Sequence, residues 1–288
     1  MAARRRSRCT GHRFHRRWFL TGLGVAALLA GAAAAGWAWA HRRPPEYRTL
    51  EAVVQRLGRG NNLGSQPISF MIGAGTYTAD LAQERGLCKP ERCGFFAQLD
   101  PFRSYGNGWD ELVRIGYALG DIQGWSASSG TVVLPRAAFR AYGPRHDYLS
   151  CTVAHELAHI QLHHVFQQSY HDSHGSQGLS DQQAEERSMA RSRQLELEAD
   201  RVAADMLARA GYRGPVCLQE LEFMFRSVGD GTPTSPSSTH PGYEERIAAM
   251  KAHYARLAKQ PPEPQLPTPG RFSYSSADNL LTFVPQAR

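Results

Sequence analysis

Positions 155–159 read His-Glu-Leu-Ala-His, and this run constrains the fold more than any bulk property of the chain. On a helix, residues four apart share one face, about 6 Å apart along the axis. Val153, Leu157 and Ile160 form an apolar stripe through the same segment, so a helix is expected there on independent grounds. Two imidazoles on one face can converge on one metal ion, and Glu156, next to the first of them, would flank the ion without binding it. Such a site needs at least one more donor, so a second element must be brought against this helix.

Neighbouring histidines test the assignment. Cys151, His155, His159 and His163 repeat every fourth residue, but three consecutive members span roughly 12 Å, too far for one ion. Pairing His159 with His163 would put Ile160 where a base is needed. His163 and His164 therefore read as ordinary residues of one helix over 147–166. Leu162 and Val165 occupy the positions where a metzincin motif requires Gly and a third His. The third donor is sought in Gln194-Leu195-Glu196-Leu197-Glu198-Ala199-Asp200. Glu196 and Asp200 lie four apart on one helical face, whereas Glu198 lies about 200° around from Glu196 and points elsewhere. Glu196 can then bind the ion while Asp200 hydrogen-bonds a ligand imidazole. Ala199, Val202 and Ala203 give this helix a small-residue face for close packing.

Around these two helices the periodicities predict further helices at 47–58, 110–119, 215–228 and 243–257, and the second metal-site helix itself over 183–211. Strands are expected at 67–72 and 131–134. Between the metal helices, a polar stretch runs to about residue 182. It includes His171, Asp172, His174, Gly175 and Gly178, and it reads as a surface loop or as a mobile segment beside the cleft. The fold class expected is α+β, mostly helical, with a small β-sheet beside the helix that carries His155 and His159. The organisation expected is a leader or anchor over 1–40, a linker at 41–46, a domain over 47–258 and a Pro-rich tail over 259–288. Five prolines from Pro261 to Pro269 suggest a tail without regular structure.

Charge and cysteine usage bear on location. The chain of 288 residues has 33 basic and 26 acidic side chains, a net charge of +7. Seven arginines fall in residues 1–40, which hold no Asp or Glu, so the remainder has 26 of each sign and no nucleic-acid partner is implied. A basic stretch followed by a charge-free apolar run over 18–40 reads as an export signal, cleaved near Ala40, or as an uncleaved membrane anchor. Arg16-Arg17 two residues before Phe19-Leu20 resembles a twin-arginine signal. The domain is thus expected in the cell envelope, periplasmic or facing outward, touching the membrane only through the N-terminal segment if that is retained. In such a compartment Cys88 and Cys93 suggest a local disulfide, and Cys151 and Cys217 are left as a second candidate pair or as buried thiols.

The order of three elements resembles the M48 family of gluzincin metallopeptidases: residues 155–159, then Glu196-x-x-Ala199-Asp200, then Ser238-Thr239-His240-Pro241 ahead of Arg246-Ile247. The similarity covers roughly residues 47–258 and thins before residue 120. Residues 124–130 replace the family's Asn-Ala and Pro-Gly-Gly pattern, so the substrate-side wall is not carried over. The resemblance implies a hydrolase of peptide bonds in protein or peptide substrates, with one zinc ion per chain held by His155, His159 and Glu196 and a fourth position left for water. Glu156 would act as general base, and His240, by family analogy, would stabilise the oxyanion. Arg246 would orient the His240 element or lie on the surface. Residues 131–134 are expected along the cleft, where an extended substrate could add as a strand. A different reading keeps the zinc but not the proteolysis: an envelope assembly factor or chaperone.

Overall fold

In the computed structural model, which describes residue 31 and residues 43–89, 92, 103–104, 106, 108–119, 124–228 and 233–286, the chain divides into two units, Met1–Pro44 and Pro45–Arg288. The apolar run over 18–40, apart from residue 31, lies outside the described residues, as does Cys93. Among the described residues no helix is long and apolar enough to cross a membrane.

The sheet of the second unit is built on β1 (Ile68–Gly73), which pairs in parallel with β3 (Thr131–Pro135) and antiparallel with β5 (Leu280–Pro285). The strand order is β2-β3-β1-β5-β4, with β2 (Trp125–Ala127) and β4 (Gly270–Ser275) at the edges. The register aligns Phe70 with Val132 and Leu281, and Ile72 with Leu134. Because side chains alternate across a strand, these residues share one face, and all five are fully buried. The helices pack on that face. In α1 (Pro45–Gly60), Leu50, Val53, Val54 and Leu57 repeat at helical spacing and are buried. In α5 (His146–Gln161), Leu149, Val153 and Leu157 do the same. Each such side chain contributes roughly 1.5–3 kcal/mol relative to exposure.

The order along the chain is α1, β1, α2 (Thr76–Glu84), α3 (Trp109–Leu119), β2, β3, α4 (Arg136–Tyr142), α5, α6 (His164–Gly175), α7 (Asp181–Arg209), α8 (Val216–Val228), α9 (Tyr243–Leu257), β4 and β5. The mostly helical α+β class read from the sequence is the observed one. Ala199, Ala203 and Ala204 of α7 are completely buried, and this small face lets α7 lie close along α5, as its sequence suggests. A capping box at Ser180 and Gln183 starts α7, each side chain accepting from the other's backbone N–H.

Three expectations are corrected. The single helix over 147–166 is two: α5 closes at Gln161, and His163 adopts a left-handed conformation (φ 56°, ψ 38°) before α6 begins. The polar stretch before residue 182 is largely α6 rather than an irregular loop. The C-terminal tail is not devoid of structure. Its prolines keep residues 261–269 extended across the end of α1, where Thr268 N–H donates to Gly58 O (2.7 Å) and Leu63 N–H to Thr268 Oγ1 (2.8 Å). This delivers residues 270–285 as a hairpin, whose alternating Phe272, Tyr274, Leu281 and Phe283 fit a half-buried pair of strands.

A disulfide joins Cys151 of α5 to Cys217 of α8, 66 residues apart, so the second candidate pair is bridged. By loop-closure entropy such a link contributes up to about 4 kcal/mol. Cys88 is also disulfide-bonded. The hairpin is latched to α1 through one buried hydroxyl: Tyr47 Oη donates to Asn279 (2.6 Å to its O, 2.8 Å to Oδ1) and accepts from Ile72 N–H (2.9 Å). Asn279 holds a left-handed turn (φ 53°) and donates from Nδ2 to Ile72 O (2.9 Å). Tyr47→Phe would leave the Ile72 N–H unpaired in the core, so we expect a loss of about 1–3 kcal/mol in urea unfolding. A midpoint equal to wild type would show that the latch contributes nothing.

Candidate metal centre and its cleft

The ligand atoms converge because α5 and α7 lie side by side. His155 Nε2 and His159 Nε2 stand 3.0 Å apart, Glu196 Oε2 lies 3.2 Å from the first, and Glu196 Oε1 lies 3.5 Å from the second. Among the described residues this trio forms the one cluster able to hold a metal ion. The spacing suits such an ion: corners of a tetrahedron about 2.0–2.1 Å from its centre are about 3.3 Å apart. Two imidazoles and one carboxylate are donors that zinc accepts, and three donors leave one position open.

Asp200 lies one turn after Glu196 and holds His155 from behind. The His155 Nδ1–H donates to Asp200 Oδ1 (2.9 Å). Arg246, on α9, donates to both oxygens of the same carboxylate, Nε to Oδ2 at 2.8 Å and Nη2 to Oδ1 at 2.7 Å. Arg246 does not lie free on the surface: it forms a largely buried, bidentate ion pair behind the metal cluster. Burial opposes ionisation of Asp200, but the Arg246 charge and its hydrogen bonds outweigh that and hold the carboxyl well below the usual range. Burial likewise disfavours a charged His155, yet hydrogen bonds to Asp200 and Glu196 raise its pKa to about 10. Burial also opposes ionisation of Glu196, but the His155 hydrogen bond and charge lower its pKa to about 2. The field that draws a proton to His155 Nε2 is the field that would draw a cation. His159 is pushed down to about 3, by burial and then by the His155 charge.

Glu156 lines the same cleft as the trio, next to the sheet edge, and is 5% exposed. Burial raises its carboxyl to about 7, against the lowering effects of His155 and of a hydrogen bond from Ser126. Ser126 belongs to β2, so the strand beside the cleft is β2 and not residues 131–134. The expected strand is flanked by β1 and β2 and has no free edge. Gly124, just before β2, presses on the base: a Cβ there would stand 2.8 Å from Leu134 Cδ2 and 3.2 Å from Glu156 Cγ. Only glycine fits without displacing one of them.

The remaining wall comes from α8, α9 and the turn before α9. His240 lies at the rim, its side chain about half exposed, with Nε2 3.7 Å from Glu196 Oε2. Its loop is fixed by Arg193 of α7, whose Nη1 donates to the carbonyls of Ser235, Pro236 and Ser238. Tyr142, Leu221, Met224 and Tyr243 line the inner part. Glu220 also faces it, raised to about 7 by burial and hydrogen-bonded by the Tyr142 hydroxyl at 2.5 Å. Sequence reasoning missed Gly124, Ser126, Tyr142, Glu220 and His164. The turn residues Ser128-Ser129-Gly130 ahead of a β-branched run could have revealed the β2–β3 hairpin, but single Tyr, Glu and His residues at helical spacing carry no signal of the cleft.

The structure therefore brings together His155, Glu156, His159, Glu196, Asp200 and His240, with Cys151 behind them. Cys88 is elsewhere and Cys93 is outside the described residues. Replacing Asp200 with Asn would leave the Arg246 guanidinium buried against half a partner. We expect Asp200→Asn to lose about 3–5 kcal/mol of stability in denaturant titration and to bind zinc about 10–100-fold more weakly in chelator competition. Wild-type values for both would remove the ion pair from the account of the site.

Residues 122–254 match the model of peptidase family M48. No curated protein and no solved structure matches the chain. The matched span begins two residues before Gly124 and ends within α9, so it encloses the metal cluster, Glu156, His240 and the Asp200–Arg246 pair. The chain carries a metallopeptidase domain of family M48.

Proposed function

We propose that the protein is a zinc-dependent endopeptidase exported to the cell envelope. The convergence of His155 Nε2, His159 Nε2 and Glu196 at 3.0–3.5 Å, with the Glu156 carboxyl buried beside them, carries this reading. His155, His159 and Glu196 would hold one zinc ion, which when bound supplies a Lewis acid and activates water at neutral pH. Glu156 takes a proton from the attacking water at its carboxylate and delivers it to the leaving amine. His240, at the rim, donates from its imidazole to the oxygen that becomes negative as the carbonyl is attacked. The edge of β2 offers backbone groups to an extended polypeptide, which would lie across the cleft as an added strand. Tyr142, Leu221, Met224 and Tyr243 add apolar surface to the cleft beside the proposed metal site. A pure binding protein would gain nothing from a carboxyl buried at Glu156, which favours proteolysis over a chaperone role.

Glu156→Gln keeps all three metal-binding side chains and removes the proton acceptor. We expect about one zinc per chain by metal analysis, with casein and peptide-library cleavage reduced by orders of magnitude. Glu196→Gln should lose zinc and activity together. Cleavage by Glu156→Gln at the wild-type rate would end the mechanism. The raised carboxyl of Glu156 also sets a pH dependence. The base form exists above its pKa, so kcat/KM should fall on the acid side. A dication nearby pulls that pKa back down, which places the limb at or below about 7. A rate that stays level down to pH 4 would exclude Glu156 as base.

Export rests on the sequence: Arg16-Arg17 ahead of Phe19-Leu20, then residues 18–40 without charge. Replacing both arginines with lysine should strand the protein in the cytoplasm, as read by fractionation. Unchanged export would point to the general route instead.

A further inference from the structure

We propose that His164 is a positioning residue for His159, accepting its Nδ1–H and passing the orientation on to Glu198. This rests on the reading that His159 holds the ion through Nε2. An imidazole bound to a metal through Nε2 carries its proton on Nδ1 and needs an acceptor there to fix the ring. His155 has Asp200 for this purpose. His159 Nδ1 is met at 3.0 Å by His164 Nδ1, with the two rings nearly perpendicular at 84°. An N–H on both atoms would be repulsive, so His164 Nδ1 offers its lone pair and the His164 proton sits on Nε2. That Nε2 is buried and has no hydrogen-bond partner, and Glu198 Oε2 lies 3.7 Å away on a side chain 42% exposed and able to close the gap. The chain goes to some expense to put His164 there. The left-handed His163 breaks the helix and turns the next residue back under His159, leaving His164 2% exposed; such a conformation is strained for a non-glycine residue. On a continuous helix, residue 164 would stand well around from residue 159 and could not meet its Nδ1. Glu198 does point away from the metal, as the helical phase requires, but it points at His164.

The test uses the full-length protein, its zinc dissociation constant by chelator competition, and proton NMR of the cobalt-substituted form, in which ligand imidazole N–H protons are shifted and their exchange with water is visible. His164→Leu removes the acceptor and should weaken zinc binding about 10–100-fold and speed exchange of one of the two ligand N–H protons. His164→Asn places Oδ1 near the position of Nδ1 and should recover most of both. Glu198→Leu, at a partly exposed site that tolerates change, should weaken binding several-fold. Unchanged affinity in His164→Leu, or in Glu198→Leu should the former fail to fold, would overturn the relay. Equal losses in His164→Leu and His164→Asn would reduce His164 to a packing residue and also overturn it. Wild-type protein that binds no zinc would instead remove the reading of the site on which the relay rests.

Discussion

The close contact of α5 with α7 is the constraint on which the site depends. Neither helix can make the centre alone: one holds His155 and His159, the other Glu196 and Asp200. Donor atoms 3.0–3.5 Å apart require two backbones separated by little more than the side chains between them. The fully buried Ala199, Ala203 and Ala204 permit that approach. A leucine in this face would push α7 outward and open the distances that make the cluster. The Cys151–Cys217 bridge ties α5 to α8 one turn before His155, so the packing of the metal helix is also held covalently.

The sheet has a separate task, which is to place Glu156. β2 is short and at the edge, and Ser126 within it reaches the Glu156 carboxyl. Gly124 lets the backbone pass where any side chain would collide with that carboxyl or with Leu134. The far edge is stabilised by the C-terminal hairpin, which closes the other side of β1 and is latched through Tyr47. Residues 261–286 thus belong to the scaffold of the site.

Much of this was legible in the sequence where periodicity speaks. The pattern of Val153, Leu157 and Ile160 fixed the phase of α5, and i, i+4 spacing put Glu196 and Asp200 on one face. The failures have physical causes. His163 took a left-handed conformation that its side chain does not announce, so one helix was read where there are two, and His164 was read as ordinary. The density of prolines over 261–269 masked the alternation of Phe272, Tyr274, Leu281 and Phe283 that makes β4 and β5. The partner of Asp200 is Arg246, 46 residues on, and such a pairing follows from the approach of α9 to α7, which no local pattern encodes.

The two histidines are supported differently, and charge explains why. An ion of charge +2 held by two neutral imidazoles and Glu196 would keep a net charge of about +1, which would polarise a carbonyl. Asp200 adds a negative charge behind His155, but Arg246 cancels it through two hydrogen bonds. A second buried carboxylate directly behind His159 would need a second buried cation, or would draw the centre toward neutrality. A neutral imidazole there fixes the ring without adding charge. It leaves Glu198 one ring further out, on a side chain that reaches solvent, where its field is screened. The proposed arrangement would thus orient both imidazoles while leaving a bound dication electrophilic, with the Asp200–Arg246 ion pair on one side only.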